Sequence, residues 1–255
     1  MKVVYVCGYG RSGSTLLGRL LAARAGATVV GEATNLSSQP FLSQAVCSCG
    51  SPYPTCEYWA SVHQRLLAVS RGRPVLSHRR RQLLEGLPGL FVPEQLLRRA
   101  VDGCVFSDRY ANASFVEGVR VLAETAGGTF VDTSKTTRLT ANRPRLLRAA
   151  GLEVELHVAS RPWREIVKSY ASAHRRRGRG ISTLKAIVAV TCGRALSSIA
   201  ALWCARSLQV SIPVTPLATA SVTMAPNAGM GLQDHLIAGN RSRHLSIAEG
   251  AARHG

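Results

Sequence analysis

The chain has 255 residues, 46% hydrophobic and 18% charged, which suits one large α/β domain and excludes a disordered, collagen-like or disulfide-stapled miniprotein class. Lysine and arginine number 32 against 14 acidic residues, a net charge of +18 that points to an acidic ligand or partner. Only Lys2, Lys135, Lys168 and Lys185 are lysines, so a GC-rich coding bias toward arginine accounts for part of the excess. No stretch reaches the ~18–20 uninterrupted apolar residues of a membrane span, and Met1 leads into a short apolar strand without a signal-peptide layout. With an odd number of cysteines, seven, the expectation is a cytoplasmic protein with reduced thiols and no transmembrane segment.

In chain order, residues 3–6 form an apolar strand, Cys7 to Gly13 a glycine-rich loop, and Thr15 onward a helix whose leucines recur at helical spacing up to Gly26. Residues 28–30 make a second strand ending at Gly31-Glu32. Asn35 to about Tyr58 has no period and reads as a surface loop. From Trp59 to about Arg99, leucine and arginine at helical spacing, broken by Pro74, Pro88 and Pro93, predict two or three helices. A helix over 114–126 follows, then a strand at 129–131 closed by Asp132-Thr133-Ser134-Lys135, a helix near 143–150 and a strand over 154–159. Arg161-Pro162 starts the next helix, which runs from Trp163 to Arg177, with Pro162 at its first position. Strands alternating with helices predict a parallel sheet, whose ligands bind at the carboxyl ends of its strands. No Asp or Glu occurs between Glu165 and Asp234, and Ser211 to Gly231 has no clear period, so that tract has no predicted element.

Gly8-Tyr9-Gly10-Arg11-Ser12-Gly13-Ser14-Thr15 has the spacing of a phosphate-binding loop, in which glycines let backbone N–H groups wrap an anion at a helix N-terminus. Ser14 stands where the Walker lysine belongs. The point charge that serves the β- and γ-phosphates of a nucleoside triphosphate is therefore missing, and Arg11 is the cation at hand.

The string Gly10-Arg11-Ser12-Gly13-Ser14-Thr15-Leu16-Leu17 resembles the 5′-phosphosulfate loop of sulfotransferases that use 3′-phosphoadenosine 5′-phosphosulfate (PAPS), above all the bacterial and carbohydrate-type members. Arg161-Pro162 with Ser169 resembles the family's 3′-phosphate element. Val131 to Lys135, Cys47-Ser48-Cys49-Gly50 with Cys56 and Trp59, and His235 to Arg243 resemble further segments. The resemblance covers roughly residues 1–60, 129–177 and 233–245. It implies a P-loop NTPase-like parallel sheet flanked by helices in a single domain, with a helical insertion over about 35–125 forming an acceptor pocket. The chain departs from the family in one place: an acidic Tyr-Glu-Asp-Leu-like strand has no counterpart in 185–232. Divergence, or a reading frame disturbed and restored near Gln233, accounts for this, and reading the coding DNA in three frames separates the two.

The implied activity is transfer of a sulfuryl group from PAPS to a hydroxyl or amine, with a sugar, lipid or other small molecule as acceptor, and no metal is expected. Gly10, Arg11, Ser12, Gly13, Ser14 and Thr15 would hold the phosphosulfate. Arg161 and Ser169 would hold the 3′-phosphate, and Gly239, Asn240 and Arg243 would close over the nucleotide. Glu32, at a strand's carboxyl end, is the candidate base, with Arg11 and Lys135 as charge stabilisers. Bland alternatives stand beside these: Arg161 as a salt-bridge partner of Glu165, Glu32 as a solvated loop residue, His235 as structural. Cys47, Cys49 and Cys56 fall one short of the usual four zinc ligands. Two rival functions remain. Asp132 as a Walker B carboxylate would make a P-loop kinase or NTPase, and the charge alone would suit a nucleic-acid-binding protein, although aromatics are only 5% and no stacking platform is evident.

Overall fold

In the computed structural model of the protein, residues 1–31, 33–34, 51–69, 78–107, 110–176, 178 and 180–216 are described. Five strands form the main sheet: β1 (Lys2–Cys7), β2 (Thr28–Gly31), β5 (Thr129–Asp132), β6 (Glu153–Ser160) and β7 (Val214–Pro216). Their spatial order is β2-β5-β1-β6-β7 and every neighbouring pair is parallel. This α/β arrangement is compatible with a P-loop-like fold.

The alternation of β1 explains how the sheet is covered. Val4 and Val6 face α1 (Ser14–Ala25) and pack with Leu17, Ala22, Val29 and Val131. Val3, Tyr5 and Cys7 face the other side, in a larger core with Trp59, Phe130, Leu147 and Leu156. A period-two strand buried on both faces reads as one apolar run, as this one does.

The first half of the sheet (β2, β5) lies on one side of β1 and the second half (β6, β7) on the other. The chain connections diverge at the carboxyl end of β1, where an open parallel sheet leaves a crevice. Gly18 lets α1 approach closely there: a Cβ on it would fall 2.5 Å from Thr133 Cγ2.

The insertion contains α2 (Glu57–Val69), α3 (His78–Glu85), a 3₁₀ turn (Leu87–Phe91), α4 (Glu94–Val101) and α5 (Phe115–Thr125). It also holds an antiparallel pair, β3 (Val105–Ser107) and β4 (Tyr110–Ser114), that local pattern did not predict. Tyr-Ala-Asn-Ala-Ser is poor strand sequence. The pair is held from outside, because Phe106 packs so tightly on Gly118 of α5 that a Cβ there would lie 2.0 Å from its ring. Ser114 and Glu117 form a capping box that starts α5. The remaining expected elements occur within a residue or two of their predicted bounds, including α6 (Arg143–Ala149) and α7 (Trp163–Arg176). Pro162 sits one position earlier than expected, its carbonyl accepting from the amides of Glu165 and Ile166.

The acid-free tract supplies α8 (Thr183–Leu208), capped by Ser182, and β7, which extends the sheet beyond β6. Among the described residues α8 is long and apolar enough to cross a membrane by length and composition. It contains Arg194, and its Ala186, Val190, Ala200, Ala201 and Cys204 side is buried where it meets α6, α7 and β1.

Candidate functional site

The loop after β1 is built by three residues with positive φ: Gly8 at 138°, Arg11 at 72° and Gly13 at 90°. Gly8 is required twice over, since a Cβ on it would lie 2.7 Å from Ser12 Oγ and 3.1 Å from the Ala159 carbonyl. The Ser12 amide donates to the Tyr9 carbonyl (3.1 Å), closing the turn, and Gly13 in the left-handed region leads into α1. The first intrahelical bond runs from the Leu17 amide to the Gly13 carbonyl (3.0 Å). Among the described residues no side chain caps α1, which leaves the amides of its first turn open to a ligand or water. Arg11 is exposed at the loop's tip, and Ser12 and Ser14 are buried. Ser12 Oγ is buried without a hydrogen-bond partner among the described residues.

A cavity of about 270 Å³ opens beside this loop, between the carboxyl ends of β1 and β6 and the side of α8. Gly8, Tyr9 and Ser12 line one wall, Ser160 and Arg161 a second, and Arg194 and Ser197 a third. The size is near the lower end of small-molecule sites, ~300–1,000 Å³. Arg161 Nε donates to Glu165 Oε2 at 2.6 Å, so the salt bridge foreseen as its bland role is formed. That bond occupies Nε, and the two terminal nitrogens have no protein partner among the described residues. The half-buried Arg194 makes no ion pair among the described residues. The cavity therefore has two arginines, Arg161 and Arg194, in its lining together with Gly8, Tyr9 and Ser12 of the loop.

Asp132 occupies the Walker B position but is committed elsewhere. It is fully buried, accepts from the Ser134 amide (2.8 Å) and hydroxyl through Oδ1, and from Arg143 Nε (2.9 Å) through Oδ2. Arg143 also pairs with Glu85 of α3, which pairs with Arg81. Burial works against the Arg143 charge, yet Asp132 and Glu85 more than offset it and hold the guanidinium above its ordinary pKa. This network clamps the turn after β5. Lys135 adopts φ 67°, with its carbonyl accepting from Tyr5 Oη and from Thr140 Oγ1 (2.8 Å). Burial first, and the Asp132 charge second, push the Tyr5 phenol well above its usual pKa, so it stays a donor. Thr136 joins this turn to the loop, its Oγ1 accepting from the Gly8 amide at 3.4 Å and meeting Ser197 Oγ of α8 at 2.9 Å.

The structure thus brings Ser12 together with Arg161 at the cavity, while the turn bearing Lys135 is tied to the loop through Thr136 and Gly8; Gly10, Arg11, Gly13, Ser14, Thr15 and Lys135 are not part of the cavity wall. Ser169 lies on α7 and is not part of the cavity wall. Glu32, Gly239, Asn240, Arg243, His235, Cys47 and Cys49 lie outside the described residues. The chain on either side of position 32 is held against the same turn, through the Thr133 amide on the Gly31 carbonyl (2.7 Å) and the Thr34 amide on Ser134 Oγ (3.2 Å). Cys56 is buried in the core, and no cluster of metal-binding side chains occurs among the described residues.

Motif reading missed Arg194, Ser197, Tyr9 and Thr136. Arg194 falls in a tract without a motif, and Tyr9 touches α8 only through a tertiary approach, a Cβ on Gly193 falling 2.2 Å from its ring. Compared with family models, curated proteins and solved structures, the chain matches none.

Proposed function

We propose that the protein is a cytoplasmic PAPS-dependent sulfotransferase that moves a sulfuryl group onto a hydroxyl or amine of a small-molecule, sugar or lipid acceptor. The reading rests on one observation: a glycine-rich loop with the spacing of a phosphate-binding loop but no Walker lysine borders a cavity lined also by Arg161 and Arg194. A nucleotide with anionic groups at both ends needs two separated cation sites, and ordinary triphosphates do not. The buried, unpartnered Ser12 hydroxyl and the Gly8 position that tolerates no Cβ suit an anion seated in the loop.

PAPS supplies an activated sulfuryl group. Gly10 to Thr15 would hold its phosphosulfate, Arg161 its 3′-phosphate with Ser169 in support, and Gly239, Asn240 and Arg243 would complete the nucleotide site. Lys135 and Arg11 stabilise charge on the departing oxygen, while Glu32 takes the acceptor proton. Asp132, held by Arg143, is a poor magnesium ligand, which weighs against a kinase or NTPase.

Calorimetric titration with adenosine 3′,5′-bisphosphate tests the reading. The expected result is binding to the wild type, weaker binding to ADP, and a loss of about ten- to a hundredfold in Arg161→Ala, the range for removing a charged hydrogen bond of ~1.5–3 kcal/mol. Equal affinity of both proteins, or binding only to generic nucleic acid in a salt-sensitive manner, overturns it.

A further inference from the structure

We infer that the outward side of α8 docks on an anionic lipid surface. Leu184 (71% exposed), Val188 (53%), Ile199 (60%), Leu202 (65%) and Trp203 (46%) stand in solvent. Their separations, near multiples of three and four, align them along one side of the helix over about 28 Å at a rise of ~1.5 Å per residue. Phe91, 76% exposed, lies 5.9 Å from the Trp203 ring and widens the strip. Scattered apolar residues on a surface need no explanation, but here they gather at the two ends of one helix side, Leu184 with Val188 and Ile199 with Leu202, Trp203 and Phe91, which implies a covering surface.

Charge selects the occupant. No acidic residue occurs from Ile166 to Gln233. Exposed Lys185 and Arg206 mark the two ends of the helix, and Arg175 and Arg176 end the adjoining α7. A second copy of a chain with net charge +18 would set like charges against each other around the strip. A bilayer surface rich in anionic headgroups covers the apolar side chains and neutralises the flanking cations together. The other side of α8 is built into the protein core, so the helix lies along the membrane instead of crossing it. Trp203 sits where an amphipathic ring anchors at headgroup level, its Nε1 donating to the Leu90 carbonyl at 3.0 Å.

Flotation of the full chain with phosphatidylcholine vesicles, with and without phosphatidylserine, tests the inference. Binding about tenfold or more stronger to the serine-containing vesicles is expected, with a blue shift of tryptophan emission that Trp203→Phe abolishes. The double variant Val188→Asp/Ile199→Asp should lose the binding while keeping its circular dichroism spectrum. If that variant does not fold, the surface-charge variant Lys185→Glu/Arg206→Glu should reduce binding to the same vesicles by about tenfold or more. Absence of vesicle binding overturns the inference, including when light scattering reports a dimer. Binding that survives loss of the apolar residues, or of the flanking charges, also overturns it.

Discussion

Ser12 keeps a hydroxyl buried with no hydrogen-bond partner among the described residues, and a group in that state costs the free protein ~1–3 kcal/mol. Replacing it by alanine removes the cost along with the group. Ser12→Ala should therefore leave the urea midpoint unchanged or slightly raised, yet weaken bisphosphate binding measured by calorimetry. A drop in stability with affinity intact would mean that the hydroxyl serves the fold and not a ligand. The glycines of this loop were legible in the sequence because their spacing is a local property of the backbone. Arg194 was not, since nothing in Thr-Cys-Gly-Arg-Ala-Leu announces which way a helix will turn one guanidinium.

At the level of elements, α3, α6 and β5 meet through Arg143, whose guanidinium is 2% exposed between Asp132 and Glu85. Arg143→Ala leaves the buried Asp132 without its cation and Glu85 with Arg81 alone, and breaking a buried pair in this way costs roughly 3–5 kcal/mol. Urea unfolding should show it. A change below about 1 kcal/mol, within the range of an exposed pair, would refute the clamp. Where β1 pairs with β6, Lys2 Nζ lies 2.7 Å from Glu155 Oε2 and His157 Nε2 lies 2.5 Å from Glu155 Oε1. The hydrogen bonds from Lys2 and then His157 hold the Glu155 carboxyl below its ordinary pKa. A carboxyl depressed on folding adds stability above its unfolded value, ~4.3, and loses it as pH falls through the native one. Thermal melts should thus show a steeper acid loss in the wild type than in Glu155→Gln, and coincident curves would remove the pair from the account. The strands β1, β5 and β6 were readable as apolar runs because parallel strands are covered on both faces. The β3–β4 pair was not, for its formation depends on Phe106 lying across Gly118.

Over the whole molecule the +18 charge is unevenly shared, since the span from Ile166 to Gln233 has cations and no acid. Self-repulsion of this kind lowers the stability of the compact state and is screened by salt, the Debye length falling from ~30 Å at 0.01 M to ~10 Å at 0.1 M. The melting temperature should accordingly rise over that interval in differential scanning fluorimetry. A fall would show that attractive pairs such as Lys2–Glu155 dominate instead.

By itself the sequence determined the alternation of strand and helix, the glycine-rich loop after β1 and its missing Walker lysine, because these are properties of short stretches of chain: periodicity, glycine placement and side-chain charge. Only the tertiary structure decided that Asp132 is spent on Arg143, that Arg194 lines the same cavity as Arg161, and that α8 shows apolar side chains to solvent. Each depends on how separate elements pack against one another, and no local pattern records which partner on another element a buried charge will find.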